Sequence, residues 1–173
     1  MKTIKVPLSY SGVDDIIKKL QQLKEDLNIA SKKSVEDMAE LCEKQIMNNY
    51  AASPYTDGND DAIFINEQQN KKRRVGVQGS QVLYREFGTG TEGLNAPHPI
   101  KSKYNLKGYN SGSKIRVNSK NGELYWIYKD KSGNAVYTQG IPAGKEVYNA
   151  AVILKGKKLS IIKKRVGEAL SKL

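Results

Sequence analysis

The run Tyr84-Arg85-Glu86-Phe87-Gly88-Thr89-Gly90 and the chain's one histidine, His98, have the residue types from which a site could be built. Gly-Thr-Gly after an apolar-alternating run suggests a phosphate cradle. Such a cradle works when the glycine loop opens directly into a helix, so that free amides and the helix dipole meet the anion. Here the expected continuation is coil through Pro97-His98-Pro99, and no Gly-Lys-Ser or Gly-Lys-Thr follows. The glycines therefore read as a turn that ends a strand. A catalytic histidine needs a nucleophile and an orienting partner, and a zinc site needs further nitrogen or sulfur ligands. The sequence around His98 supplies neither, so it reads as a solvent-facing loop residue in a stiff Pro-His-Pro frame. The carboxylate pairs Asp14-Asp15, Glu25-Asp26 and Asp60-Asp61 fit helix starts and turns, because neighbours on a helix do not face each other. A hydrolase would rest on Gly-Thr-Gly and His98 alone. No catalytic set, cofactor site or metal site is expected.

Cys42 is the single cysteine, which excludes an internal disulfide or a cysteine-built zinc knuckle. It lies on an apolar helical stripe and reads as a small buried hydrophobe. The start of the sequence has no apolar leader and no stretch approaches membrane-spanning length, so a protein folded in a reducing cytoplasm is expected. The 173 residues suit one domain, with 38% apolar residues and 10 Tyr against 2 Phe and 1 Trp. Many amphipathic rings suit partly wet interfaces. The net charge of +11 favours an anionic partner. It is unevenly spread: residues 13–47 balance at −2, residues 89–122 at +5 and residues 141–173 at +6.

The elements that must position these residues follow from periodicity. Apolar residues at 13, 16, 17, 20, 23 and 27, then at 35, 38, 39, 42 and 46, predict one long helix with a polar waist at Ser31–Ser34. Ser11 with Asp14, and Ser34 with Asp37, are candidate caps. Pro54 and Asp57-Gly58 end the helix. From there the period becomes two. Ala62–Asn66, Arg73–Gln78 and Val82–Phe87 are expected strands, and Lys71, Lys72, Arg73 and Arg74 form a basic connection between the first two. A polar, basic loop over about residues 89–122 has no sustained periodicity, and its Tyr104 and Tyr109 alternate with lysines. Loops this long are usually functional. Glu123–Gly140 is a hairpin around Lys131-Ser132-Gly133-Asn134. After Pro142 the chain closes as a helix, with Val147, Ala150, Ala151, Leu154, Ile161, Ile162, Val166, Ala169 and Leu170 along its stripe. The expected fold is α+β: a helical part over residues 1–50, a small antiparallel sheet with the loop insertion over 60–140, and a helical part over 143–173.

The ordered set Glu86-Phe87-Gly88-Thr89-Gly90, the Trp126 hairpin, and Gly140-Ile141-Pro142-Ala143-Gly144 leading to Tyr148-Asn149-Ala150-Ala151 resembles a viral family. It is similar to the tail-completion, or head–tail joining, proteins of lambda-like tailed phages, including the minor tail protein Z group. The likeness covers about residues 50–154. It departs where the family's Pro-Phe before the last helix reads Gly144-Lys145-Glu146-Val147, and in the turn after the first helix. The resemblance implies a non-enzymatic virion protein of the neck or tail, made in the host bacterial cytoplasm and built as a ring, with six copies the expected number. Its partners would be copies of itself, neighbouring connector and tail-tube proteins, and passing phage DNA, with no membrane. Glu86, Phe87, Gly88, Thr89, Gly90, Trp126, Pro142 and Tyr148 become candidates for turns or subunit boundaries. Lys71, Lys72, Arg73 and Arg74 become candidates for a DNA channel. The alternative is a small basic protein that binds nucleic acid without reading sequence, because phosphate contact is sequence-blind and no reading motif is present.

Overall fold

The computed structural model describes residues 9–53, 61–70, 72–103, 115–129 and 132–172. The turn at Pro54 and Asp57-Gly58, the Asp60 of the third carboxylate pair, Lys71, Tyr104, Tyr109 and Lys131 lie outside them. The fold is α+β, with a long first helix, small antiparallel sheets and a long last helix. Helix α1 runs unbroken from Tyr10 to Ala52. Its cap is Ser9 rather than Ser11: the Gly12 amide donates to Ser9 Oγ at 3.1 Å. Ser34 caps nothing. It sits inside the helix, where its hydroxyl donates to the Ala30 carbonyl at 2.8 Å, so the polar waist is satisfied without a break.

Strands β1 (Ile63–Gln69) and β2 (Lys72–Gln78) form a hairpin paired from Ile63↔Gln78 to Gln69↔Lys72. Strands β3 (Ile115–Val117), β4 (Leu124–Lys129) and β5 (Ala135–Thr138) form a second, three-stranded antiparallel sheet in that order. One expected sheet is thus two. The reason is Val82–Phe87, which is not a strand but the short helix α2. Its buried residues are Val82, Arg85, Glu86 and Phe87, and the 3-and-4 spacing of the first three is helical rather than alternating. The Gly-Thr-Gly turn opens into a further short helix, α3 (Gly90–Asn95), where coil was expected. A 3-10 turn at Lys101–Lys103 follows, and β3 supplies the end of the segment read as a loop.

A two-residue strand, β6 (Gly140–Ile141), leads to the last helix, α4 (Glu146–Leu170). It passes through Gly156 without a break. Helix α4 lies antiparallel along α1: the Asn49 amide donates to the Glu146 carbonyl, Arg165 pairs with Asp37, and Lys172 meets Asp26. Ala30 on α1 and Ala169 on α4 are buried, and small side chains let the axes come close. Ile46, Tyr50 and Ala150 form the core, with Cys42, Phe64, Val75, Val77 and Val147 packed around them. Tyr50 meets the Phe64 ring edge-on at 5.6 Å. The expected stripe on α4 divides. Ala150 and Ala169 turn inward, while Ile162 and Leu170 are exposed. Among the described residues no helix is long and apolar enough to cross a membrane.

Candidate functional site

Two of the three stretches that carry the resemblance, some fifty residues apart, meet in space. Thr89 bridges to Ile141 and Gly90 to Gly140 in antiparallel pairing. The Ile141 amide donates to Thr89 Oγ1 at 3.1 Å, and Thr91 Oγ1 donates to the Gln139 carbonyl at 2.9 Å. Upstream, the Gly144 amide donates to the Arg85 carbonyl at 2.7 Å. The crossing is too tight for side chains. A Cβ on Gly88 would lie 2.6 Å from the Ala143 nitrogen, and one on Gly90 would strike the Gln139 carbonyl. Both glycines also have positive φ, +72° and +60°.

Beside this crossing lies a buried polar cluster. Glu86 accepts from the Val147 amide through Oε2 and from the Tyr148 amide through Oε1, each at 2.9 Å. It thereby caps α4 from outside the helix, since the cap residue Lys145 makes no side-chain cap bond and sits at φ 60°. A carboxylate is suited to that place because orphan amides and the helix dipole both favour negative charge. His98 is 3% exposed, not solvent-facing as the Pro-His-Pro frame suggested. Its Nε2 lies 3.1 Å from Glu86 Oε1, and its Nδ1 accepts the Ile100 amide at 3.3 Å. With Nδ1 accepting, the proton sits on Nε2 and is donated to Glu86. The Phe87 ring at 4.6 Å and the Tyr148 ring at 5.1 Å enclose the imidazole.

Arg85 faces the other way from its neighbour. Its guanidinium stacks 4.0 Å above the Tyr50 ring, donates to the Tyr50 carbonyl at 3.2 Å, and lies 3.6 Å from Glu146. Burial pushes the Glu146 carboxyl above the ordinary range, against the opposing pull of Arg85. Every polar contact of Glu86 and His98 described here is to the fold itself, and the cluster is spent on holding α2, α3 and the start of α4 together. Among the described residues no group of His, Cys, Asp and Glu could hold a metal ion. A surface groove of about 280 Å³ lies between α1 and Lys172, and another of about 680 Å³ runs along β4 and β5. Neither is lined by Glu86, His98 or Glu146.

Of the residues singled out by sequence, Glu86, Phe87, Gly88, Thr89, Gly90, Pro142 and Tyr148 come together here, while Trp126 stands apart, half-buried on β4 opposite Ile115 and Thr138. Arg85 and Glu146 are the members that sequence reasoning missed, and His98, singled out there, was read as solvent-facing. The available signal was a charged pair inside an apolar run, which a half-exposed strand would explain less well than two buried, partnered ions. Lys72, Arg73 and Arg74 of the basic cluster are not a connection but the start of β2, and they diverge. Lys72 and Arg74 are exposed, whereas Arg73 turns onto α1, donating to Asn66 at 3.1 Å and lying 3.8 Å from Glu36. The sequence matches no protein-family model and no curated protein, and the fold matches no solved structure.

Proposed function

We propose that this chain is a structural subunit of a tailed-phage or phage-derived particle, built into a ring at the neck or the tail-proximal end, where it joins head to tail or completes the tail. One observation carries the reading. The Glu-Phe-Gly-Thr-Gly and Gly-Ile-Pro stretches, two of the three on which the resemblance to head–tail joining proteins rests, are a single unit in the fold, locked by Thr89, Glu86 and the crossing glycines. Their convergence supports the reading that this order encodes one piece of architecture. The inward use of Glu86 and His98 supports a role in building rather than in turnover. Phage particles made without the chain should appear in electron micrographs as separate heads and tails. Joined, infectious particles would overturn the proposal. A small basic nucleic-acid binder would instead act as a monomer and bind DNA tightly at moderate salt.

A further inference from the structure

The three-stranded sheet has two unlike faces. Directly paired residues share a face, and so do alternate residues along a strand. Ile115, Trp126, Val136 and Thr138 therefore lie on one side, all partly buried, with Val117 and Leu124 exposed at its end. The other side carries Arg116, Tyr125, Ile127, Lys129, Ala135 and Tyr137. This is the outward side: Arg116, Lys129 and Ala135 are exposed, and Tyr137 is 67% exposed. The Tyr125 and Tyr137 rings meet at 5.5 Å, tilted by 52°. Each ring thus steadies the other, while the exposure of Tyr137 leaves a flat ring surface open to water. The groove of about 680 Å³ runs beside both rings and continues past Lys120.

Cations surround these rings. Arg116 stands directly across from Tyr125, and Lys129 shares their face. Among the described residues no carboxylate pairs with Arg116, Lys120 or Lys129. Glu123, the one carboxylate lining the groove among the described residues, accepts from Asn121 at 2.7 Å within the β3–β4 turn. Over residues 101–139 the sequence has eight cations and two carboxylates. A ligand of this face must therefore offer flat apolar groups and negative charge together. Unpaired nucleobases on a phosphodiester chain offer both, and every base has a face that stacks on an aromatic ring. A duplex keeps its base faces inside its own stack. A neutral glycan would need free hydrogen-bonding side chains, but Asn118 Oδ1 is spent on the Lys120 amide and Glu123 on Asn121.

We propose that the face bearing Arg116, Tyr125 and Tyr137 is a stacking platform for single-stranded nucleic acid. An unpaired base lies on the open side of Tyr137, and the adjoining phosphates meet Arg116, Lys120 or Lys129. From β3 to β5 the face spans two strand spacings, roughly 10 Å, which is room for one or two bases. Binding at one platform is therefore weak, tolerant of sequence and suppressed by salt. The inference is independent of the ring reading and holds whether the chain acts in a particle or alone.

The test is fluorescence anisotropy of the full chain with a labelled oligothymidylate and with a labelled duplex of the same length. Tyr137 and Arg116 are exposed, and circular dichroism checks that each variant is folded. The single strand should bind at low salt, and Tyr137→Ala should weaken it about tenfold, the loss of one stacked base. Tyr137→Phe keeps the ring and should bind as the wild type does. Arg116→Ala should reduce the slope of log affinity against log salt by about 0.7, one phosphate contact on a single strand. Any duplex binding should be indifferent to Tyr137→Ala. An oligothymidylate that does not bind at low salt, or a Tyr137→Ala variant with wild-type affinity, would overturn the platform. So would Tyr137→Phe failing as badly as Tyr137→Ala, or duplex binding that falls as far as single-strand binding. Polyglutamate displacing the label as well as unlabelled oligothymidylate does would also overturn it, since charge alone would then explain the binding. Failure on these counts leaves the particle role standing, and joined particles made without the chain would leave the platform standing.

Discussion

Glu86 and His98 are hydrogen-bonded at 3.1 Å in a pocket closed to solvent, and the same carboxylate takes the first free amides of α4. Removing it should hurt the fold more than any surface change. Glu86→Ala leaves two helix amides and one imidazole N–H without their acceptor inside the protein. With each buried, unmade bond costing about 1–3 kcal/mol, a loss of about 3 kcal/mol or more is expected. Glu86→Gln should lose less, since one oxygen remains. Urea denaturation followed by circular dichroism decides it, and a Glu86→Ala midpoint equal to wild type would refute the capping role.

The glycines divide into two classes with opposite signs. Gly88 has φ 72° and ψ 165°, a region that only glycine occupies readily, and its missing side chain faces the Ala143 nitrogen and Ile141 carbonyl. Gly88→Ala should cost about 3 kcal/mol or more, or prevent folding. Gly156 sits in α4 with open space around it, so Gly156→Ala should stabilise the isolated subunit by about 0.5–1 kcal/mol. Thermal melts of the two variants read both signs.

The helices and hairpins were legible because their periodicity is long and consistent with burial on one face. Local rules failed where a distant residue supplied the partner. Val82–Phe87 is rich in strand-forming Val, Tyr and Phe, yet Arg85 finds the Tyr50 ring and carbonyl while Glu86 finds the amides of α4. Those partners lie tens of residues away and turn the run into a helix with two inward charges. His98 looked exposed for the same reason, since Phe87 and Tyr148 close over it from elsewhere in the chain. The α1 cap slipped from Ser11 to Ser9 because both serines satisfy the same preference.

Acid and neutral stability should respond to two carboxyls in opposite ways. The Arg165 guanidinium, bonded to both Asp37 oxygens at 2.7 Å, holds that carboxyl below its ordinary value. Its contribution is present above the unfolded value near 3.9 and is lost as pH falls through the lower folded value. Burial raises Glu146, so its contribution is present below the unfolded value near 4.3 and is lost as pH rises through the higher folded value. Asp37→Asn should flatten the acid limb of a stability–pH profile. Glu146→Gln should lift the neutral limb relative to wild type. Superimposable profiles across pH 3–8 would remove both assignments.

The basic half of β2 separates a structural arginine from two free cations, and their substitutions should separate too. Arg73 links the hairpin to α1 through Asn66 and Glu36, in a partly exposed setting where such pairs contribute about 0.2–1 kcal/mol. Arg73→Ala should therefore lower stability by up to about 1 kcal/mol, with DNA affinity little changed. Lys72 and Arg74 project to solvent, so Lys72→Glu with Arg74→Glu should leave stability within about 0.5 kcal/mol. If these two meet phosphates, the slope of log affinity against log salt for duplex DNA should fall by about 0.9 per lost contact, close to 2 for the pair. Fluorescence anisotropy at several salt concentrations measures that slope. An unchanged slope in the double variant would make this strand ordinary surface, and any DNA contact would then belong to the lysines of α4.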